Sequence, residues 1–339
     1  MFSEPSRINP LLYAYFIFPF SLCVSFIYFT TTCTRKTVFD LRLGNIMYPE
    51  VFTMKKIECA IIFAMCILIS ISIGTVTIPA AKSAVLLHDN RQSIDLPIVM
   101  YHGISESASG ESKYFISKDR FESDLKWYRD SGYTTILPSQ LYAYVSGEAI
   151  LPSKPILLTF DDGYCNNYTY AFPLLQKYNM KAVISLIGSD SEIASDDIYR
   201  VPSSCNLSWG EVALMAKSGL VEFGNHTYDL HRIADGRKGA NQKPGESVEA
   251  YHEMLSADLT KNQEKIAAAS GSVPLLFAWP YGAYPQDKNA DTVLKDVGLK
   301  MSVNSYQHTS AVEQGNPNSL YGLGRYLRTP SFPLETLQE

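Results

Sequence analysis

From about Asp95 onward, short runs of β-favouring apolar residues alternate with longer segments whose apolar positions recur every three or four residues. The first kind predicts strands at Ile98 to Tyr101, Thr134 to Leu137, Ile156 to Phe160, Ala182 to Ile187, Val221 to Phe223, Leu275 to Ala278 and Lys300 to Val303. The second predicts helices between them. Ser117 caps one whose Phe121, Leu125 and Tyr128 share a face, with Gly132 closing it. Ser139 caps a short one to Val145, and others run from Asn167 to Tyr178, Val248 to Ala269 and Thr292 to Val297. Ser208 and Glu211 have capping-box spacing and open a helix that stops near Gly219. The polar stretch Asp235 to Gly245 and the segment Gln307 to Leu323 read as loops. Repeated strand–helix units predict an α/β fold with a mainly parallel sheet, and so many units in one domain suggest a barrel. Functional side chains should then follow the strands, at the C-terminal rim.

The apolar content is uneven. Leu11 to Phe29 and Ile57 to about Ile78 are each long enough to cross a bilayer. Arg35, Lys36, Arg42, Lys55 and Lys56 lie between them, so the positive-inside rule makes the linking segment cytoplasmic and exports the chain beyond the second run. A second reading starts at Met54, with Lys55 and Lys56 as a basic leader, an apolar stretch from Ala60 to Ile73, and small residues Ala81 and Ser83 at signal-peptidase spacing. Lys82 disfavours that cleavage and favours a retained anchor. Both readings put the remainder outside the cytoplasm, membrane-anchored or secreted after cleavage near Ser83. The expected organisation is an anchor or signal region at 1–83, a linker at 84–95, a catalytic domain at 96–330 and a tail at 331–339.

With 339 residues, 46% of them hydrophobic, the chain can bury a sizeable core. A net charge of −5 gives no basic surplus, and no nucleic-acid partner is expected. Cys23, Cys33, Cys59 and Cys66 lie in or beside the apolar runs. Cys165 and Cys205 belong to the exported part, where a disulfide is permitted but not demanded by spacing, and Cys165 alone reads as a small buried hydrophobe.

Candidate chemistry obeys the rim rule. Asp161 and Asp162 close the run Leu157-Leu158-Thr159-Phe160, and adjacent residues on an extended backbone face opposite ways, so one carboxylate can bind a cation while the other handles a proton. His226 and His231 come after the strand ending at Phe223 and can converge on the same cation. Two His and one Asp form a common catalytic ligand set that leaves positions open for water and substrate. His102 ends the first strand and is a candidate proton donor, held protonated beside a carboxylate. Trp279-Pro280-Tyr281-Gly282 is a strand-ending turn that can aim a backbone N–H into the site and lay an aromatic face along a sugar.

Together these segments resemble the polysaccharide deacetylases of the NodB-homology group, carbohydrate esterase family 4, over about Leu96 to Arg328. Thr159-Phe160-Asp161-Asp162-Gly163-Tyr164, His226-Thr227 with His231, and Pro280-Tyr281-Gly282 match that family's first three motifs in order. Met100-Tyr101-His102 resembles the branch acting on poly-N-acetylglucosamine and related cell-surface glycans. The resemblance implies a distorted (β/α) barrel. It also implies one divalent metal, zinc first with cobalt, nickel or iron acceptable, held by Asp162, His226 and His231. Asp161 would be general base, His102 general acid, and the Tyr281 N–H an oxyanion donor beside Pro280 and Trp279. The implied reaction is hydrolysis of N-acetyl groups on an N-acetylglucosamine-containing cell-surface polysaccharide, poly-N-acetylglucosamine or peptidoglycan, with release of acetate. O-acetyl ester cleavage and a catalytically silent glycan-binding module are the alternatives. One departure stands out. Many members carry an Arg, which orients the base, two residues before the Pro of the third motif, and here that position is Ala278. Arg200, Arg325 and Arg328 are candidates to replace it, and His308 is the alternative to His102.

Overall fold

The computed structural model describes residues 92–197, 201, 205–285 and 289–338. The two apolar runs at 11–29 and 57–78, the possible start at Met54, and Arg200 lie outside the described residues. Among the described residues no helix is long and apolar enough to cross a membrane.

The elements in chain order begin with β1 (Ser93–Leu96), β2 (Ile98–Tyr101), β3 (Gly103–Ser105), β4 (Phe115–Ser117), α1 (Lys118–Asp130), β5 (Thr134–Thr135), α2 (Pro138–Val145) and β6 (Pro155–Phe160). Next come α3 (Phe172–Tyr178), β7 (Ala182–Leu186), α4 (Gly188–Asp196), α5 (Trp209–Ala216), β8 (Val221–Asn225), β9 (Ile233–Ala234), β10 (Arg237–Lys238) and α6 (Val248–Ser270). β11 (Leu276–Ala278), α7 (Asn289–Asp296), β12 (Met301–Val303), β13 (Ser310–Glu313) and β14 (Tyr326–Leu327) complete the set.

The main sheet is parallel, in the order β12-β11-β8-β7-β6-β2-β14, with β5 beside the start of β6. Its strands are apolar on both faces, as a helix-covered parallel sheet requires. Alternate residues feed separate clusters. Ile98, Leu157, Val183, Leu276 and Met301 join one core, whereas Val99, Leu158, Ile184 and Phe223 join another that includes Phe121, Leu125 and Leu175 from the helices. The first core brings together strands from opposite ends of the sheet order, so the sheet curls into a half-barrel. The segment before β14 spans the remaining gap. Leu323 bridges Val303 of β12 while Tyr326 pairs with Val99 of β2.

Local signals explain most boundaries. Ser117 caps α1 by accepting the Arg120 N–H, and Ser208 and Glu211 form the expected reciprocal box at α5. Four expectations are corrected. The N-cap of α2 is Leu137, with Pro138 at its first position, and Ser139 instead hydrogen-bonds Glu222. The stretch expected as one helix from Asn167 opens with a π-helical turn, Asn167–Ala171. Arg237–Lys238 form a short strand inside an expected loop, and Ser310–Glu313 pair with β1 inside another. The first is a two-residue ladder with the adjacent Ile233–Ala234, too short to show a period, and the second depends on a partner more than two hundred residues away, so no local periodicity marks either.

Candidate active site

Each chemistry-bearing segment emerges from the C-terminal end of a parallel strand: His102 from β2, Asp161 and Asp162 from β6, His226 from β8, and Trp279 to Gly282 from β11. Three loop backbones turn through the left-handed region at non-glycine residues. Among the described residues five have this conformation, and three of them, Asp162 (φ 69°), Thr227 (φ 74°) and Tyr281 (φ 59°), lie here. Each costs roughly 1–2 kcal/mol for an L-residue with a Cβ, and such strain gathers where a site needs it.

Asp162, His226 and His231 place one ligand atom each within 4.8 Å of one another. Asp162 Oδ1 is 3.4 Å from His226 Nε2 and 3.5 Å from His231 Nε2. His226 Nδ1 lies 2.7 Å from the Ala278 carbonyl oxygen. A carbonyl only accepts, so Nδ1 carries a proton and Nε2 is the atom a cation would take. In the cation-free protein burial alone would lower the His226 pKa, but the Asp162 and Asp161 carboxylates outweigh it and raise the pKa. Burial and the nearby His226 charge push His231 down to about 4, which leaves its ring neutral at physiological pH. This donor set suits a divalent cation that accepts imidazole and carboxylate.

Asp161 faces a different partner. Arg325 is fully buried and donates Nη1 and Nη2 to its two carboxylate oxygens, both at 2.7 Å, while its Nε donates to the Asn304 carbonyl at 2.8 Å. Burial alone would raise the Asp161 pKa. The Arg325 charge, the His226 charge and the hydrogen bonds override burial and hold it well below the usual range. Of the three arginines considered to replace the one missing at Ala278, Arg325 therefore reaches Asp161. Arg328 instead forms a buried bidentate pair with Asp124.

His102, Asp161, Asp162, His226, His231 and Tyr281 line one groove of about 470 Å³. The His102 ring packs against Tyr114, with centroids 4.8 Å apart, and His231 packs likewise against Tyr281 at 4.6 Å. Both tyrosines are more than two-fifths exposed, so the groove carries an open aromatic face on each side. Burial outweighs the two carboxylates and lowers the His102 pKa. His308 is exposed, lies over Gly324, and is not part of the groove lining. Trp279 does not reach the groove either. It is 0% exposed and packs edge-on against Phe277 and Tyr284. Tyr281, two residues on, supplies the exposed ring. Gly282 N–H closes the turn on the Trp279 carbonyl and Ala283 N–H on that of Pro280, leaving the Tyr281 N–H outside the turn's own bonds.

Sequence reasoning did not identify Tyr114 or the staple that holds its loop. Glu111 accepts hydrogen bonds from the Ser117 N–H and hydroxyl and from Arg120 Nε and Nη2, tying the segment that presents Tyr114 to the start of α1. The Arg120 bonds, reinforced by Ser117 against the opposing effect of burial, bring Glu111 down to about 2. A carboxylate depressed on folding adds stability above its unfolded pKa, and that stability is lost as pH falls toward the folded value. Arg120 is partly exposed, so the contribution is discounted to about 1 kcal/mol. Glu111→Gln should therefore lose about that much at pH 6 and progressively less toward pH 2. Denaturant titrations of both proteins across that range check this, and a difference that does not change with pH would refute it.

Cys165 and Cys205 form a disulfide, which resolves the pairing left open by spacing and replaces the reading of Cys165 as a free buried thiol. The neighbouring backbone explains their meeting. Cys165 N–H donates to the Cys205 carbonyl, Leu207 N–H to that of Gly163, and Asn206 Nδ2 to that of Asp162. The crosslink thus joins the chain directly after Asp162 to the segment that braces it.

A parallel α/β half-barrel with an Asp-His-His set and a second, arginine-held Asp at its rim defines a hydrolase-type site able to hold a metal. Comparison with known proteins agrees. The Polysaccharide deacetylase family model matches residues 149–302, which contain both aspartates, both ligand histidines and the Trp279 to Gly282 turn, while His102 and Arg325 flank it. A poly-beta-1,6-N-acetyl-D-glucosamine N-deacetylase of Escherichia coli is 25% identical over 242 residues, 63% of this chain and 36% of that protein. One from Staphylococcus aureus is 28% identical over 197 residues, covering 57% of this chain and 62% of that one. The chain thus spans about a third of the length of the first and under two thirds of the second. Among solved structures, a de-N-acetylase from Aggregatibacter actinomycetemcomitans superposes with a TM-score of 0.62 at 25% identity, over 72% of this chain and 99% of that one. IcaB from Ammonifex degensii gives 0.57 at 26% identity, over 70% and 92%. Residues 149–302 thus carry the pattern of the polysaccharide deacetylase family, and the chain is similar to enzymes of that family.

Proposed function

We propose that the protein removes N-acetyl groups from an N-acetylglucosamine-containing cell-surface polysaccharide, poly-N-acetylglucosamine or peptidoglycan, releasing acetate. The observation that carries this reading is one groove lined by the Asp162, His226, His231 cluster, by Asp161 fixed on Arg325, and by His102. The names of the Escherichia coli and Staphylococcus aureus relatives favour an N-acetyl substrate. The metal is zinc in this reading, and cobalt, nickel or iron suit the same ligands.

A divalent ion on Asp162, His226 and His231 supplies Lewis-acid polarisation of the acetyl carbonyl and acidifies water. Asp161, kept ionised and in one orientation by Arg325, accepts a proton from the attacking water. To act as the acid, His102 must carry a proton. Sharing a groove with Asp161 lets it take that proton and deliver it to the sugar nitrogen as the C–N bond breaks. The Tyr281 N–H donates to the acetyl oxygen as negative charge builds there. Tyr114 and Tyr281 offer their faces to the sugar rings. The distorted barrel is the frame for this chemistry, and the N-terminal apolar runs anchor it at the membrane with the catalytic domain outside the cytoplasm, where the Cys165–Cys205 disulfide would persist.

The test measures acetate release by the full-length chain, in membrane and soluble fractions, from N-acetylglucosamine oligomers, peptidoglycan and acetylated xylan. Chelator-treated samples are compared with samples given zinc or cobalt again. Cation-dependent release from an N-acetyl substrate by the membrane fraction is the expected result. Release from xylan alone would replace the reading with O-acetyl esterase activity.

A further inference from the structure

Thr227 directly follows His226, is fully buried, and holds a β-branched side chain at φ 74°. That conformation needs to be imposed by its surroundings. The helix α6 imposes it through Asp258 and Asn262, four residues apart and so on one face. Asn262 Nδ2 lies 2.9 Å from each of three oxygens: the Leu186 carbonyl, Asn225 Oδ1 and the Thr227 carbonyl. Three converging acceptors fix the amide with its nitrogen inward, because an oxygen there would face only oxygens. Asn225 Oδ1 also accepts the Thr227 N–H at 2.9 Å. Asp258 accepts the next two N–H groups, Tyr228 at 2.7 Å and Asp229 at 2.9 Å. From Asn225 to Asp229 the turn is thus bonded along its length, and none of these bonds touches an imidazole.

We propose that Asp258 and Asn262 are positioning residues that set the affinity of the Asp162, His226, His231 cluster for its cation. This rests on the metal reading of that cluster. Both imidazole nitrogens must approach Asp162 Oδ1, and the six residues from His226 to His231 can bring them there only while Thr227 stays left-handed. Released from α6, Thr227 relaxes toward negative φ and the two rings separate.

The experiment measures zinc and cobalt affinity of the full-length chain by chelator competition, together with the visible absorption of bound cobalt. Removing groups that orient metal ligands typically weakens affinity ~10–100-fold. Asn262→Ala should fall in that range, and Asn262→Asp at or beyond its upper end, because it sets a carboxylate against three oxygens. Asp258→Asn keeps one acceptor, so it should lose roughly 10-fold and carries the test if Asn262→Asp fails to fold. Gln263→Ala is the control. Its side chain bonds the Val297 carbonyl at 3.1 Å, so it should lower the melting temperature and leave cation affinity and the cobalt spectrum unchanged. Wild-type affinity in folded Asn262 and Asp258 variants, or equal weakening by Gln263→Ala, would overturn the inference. A wild-type chain that binds neither cation would overturn the metal reading itself and this inference with it.

Discussion

Arg325→Met should both destabilise the protein and abolish the proposed deacetylase activity. The guanidinium is fully buried, and its removal leaves the Asp161 carboxylate without its cation in a buried site. Breaking one side of such a pair costs about 3–5 kcal/mol, because the remaining charge cannot recover its hydration. Loss of a positioned general base costs a further 10²–10⁴-fold in rate, on the order seen for acid–base groups. The double variant Asp161→Asn/Arg325→Met separates these effects. It removes the orphaned charge, so denaturant titration should recover much of the lost stability, while acetate release stays absent. Lysine should not substitute, because one ammonium cannot reproduce the two parallel bonds to Asp161 and the third to the Asn304 carbonyl. Activity retained by Asp161→Asn/Arg325→Met in folded protein would remove Asp161 from the role of base.

Why Arg325 could be named in the sequence but not chosen is a matter of range. Its position is set by Leu323 bonding to β12 and Tyr326 pairing with β2, contacts across more than two hundred residues for the latter. Nothing near residue 325 encodes that register. The strands that carry Asp161, His226 and the Trp279 turn are different. They are buried along nearly their whole length, with Glu222 of β8 the half-buried exception, and the rim rule then places the residues just beyond them at the site. Trp279 shows the limit of reading a motif without its strand. Phe277 and Trp279 are two residues apart and share a face, whereas Ala278 between them belongs to the inner core. Period-two alternation therefore sends the indole into the helix layer, and only the left-handed turn at Tyr281 brings an aromatic ring back to the groove. Tyr114 was invisible for another reason. It sits on a loop whose course depends on Glu111, and neither residue belongs to a periodic pattern.

His231→Ala should leave the protein as stable as wild type and remove its activity. The ring is partly exposed, unlike His226, which is buried and bonded to the Ala278 carbonyl. Truncating it creates no closed cavity and leaves no buried carbonyl unpartnered, so the unfolding free energy of the cation-free protein should change little, within about ±0.5 kcal/mol. Cation affinity should fall by at least ~100-fold, since a lost ligand exceeds the ~10–100-fold cost of losing a group that merely orients one. Acetate release should fall in step and recover in part at high zinc. This separation also decides between catalyst and silent glycan-binding module. In the proposed reading glycan binding would rest on the exposed faces of Tyr114 and Tyr281, and His231 would contribute to it only by supporting the Tyr281 ring. A binding module would therefore retain most of its affinity for N-acetylglucosamine oligomers in His231→Ala, and its wild type would release no acetate at any cation concentration. An enzyme loses turnover in the variant while the wild type has it to lose.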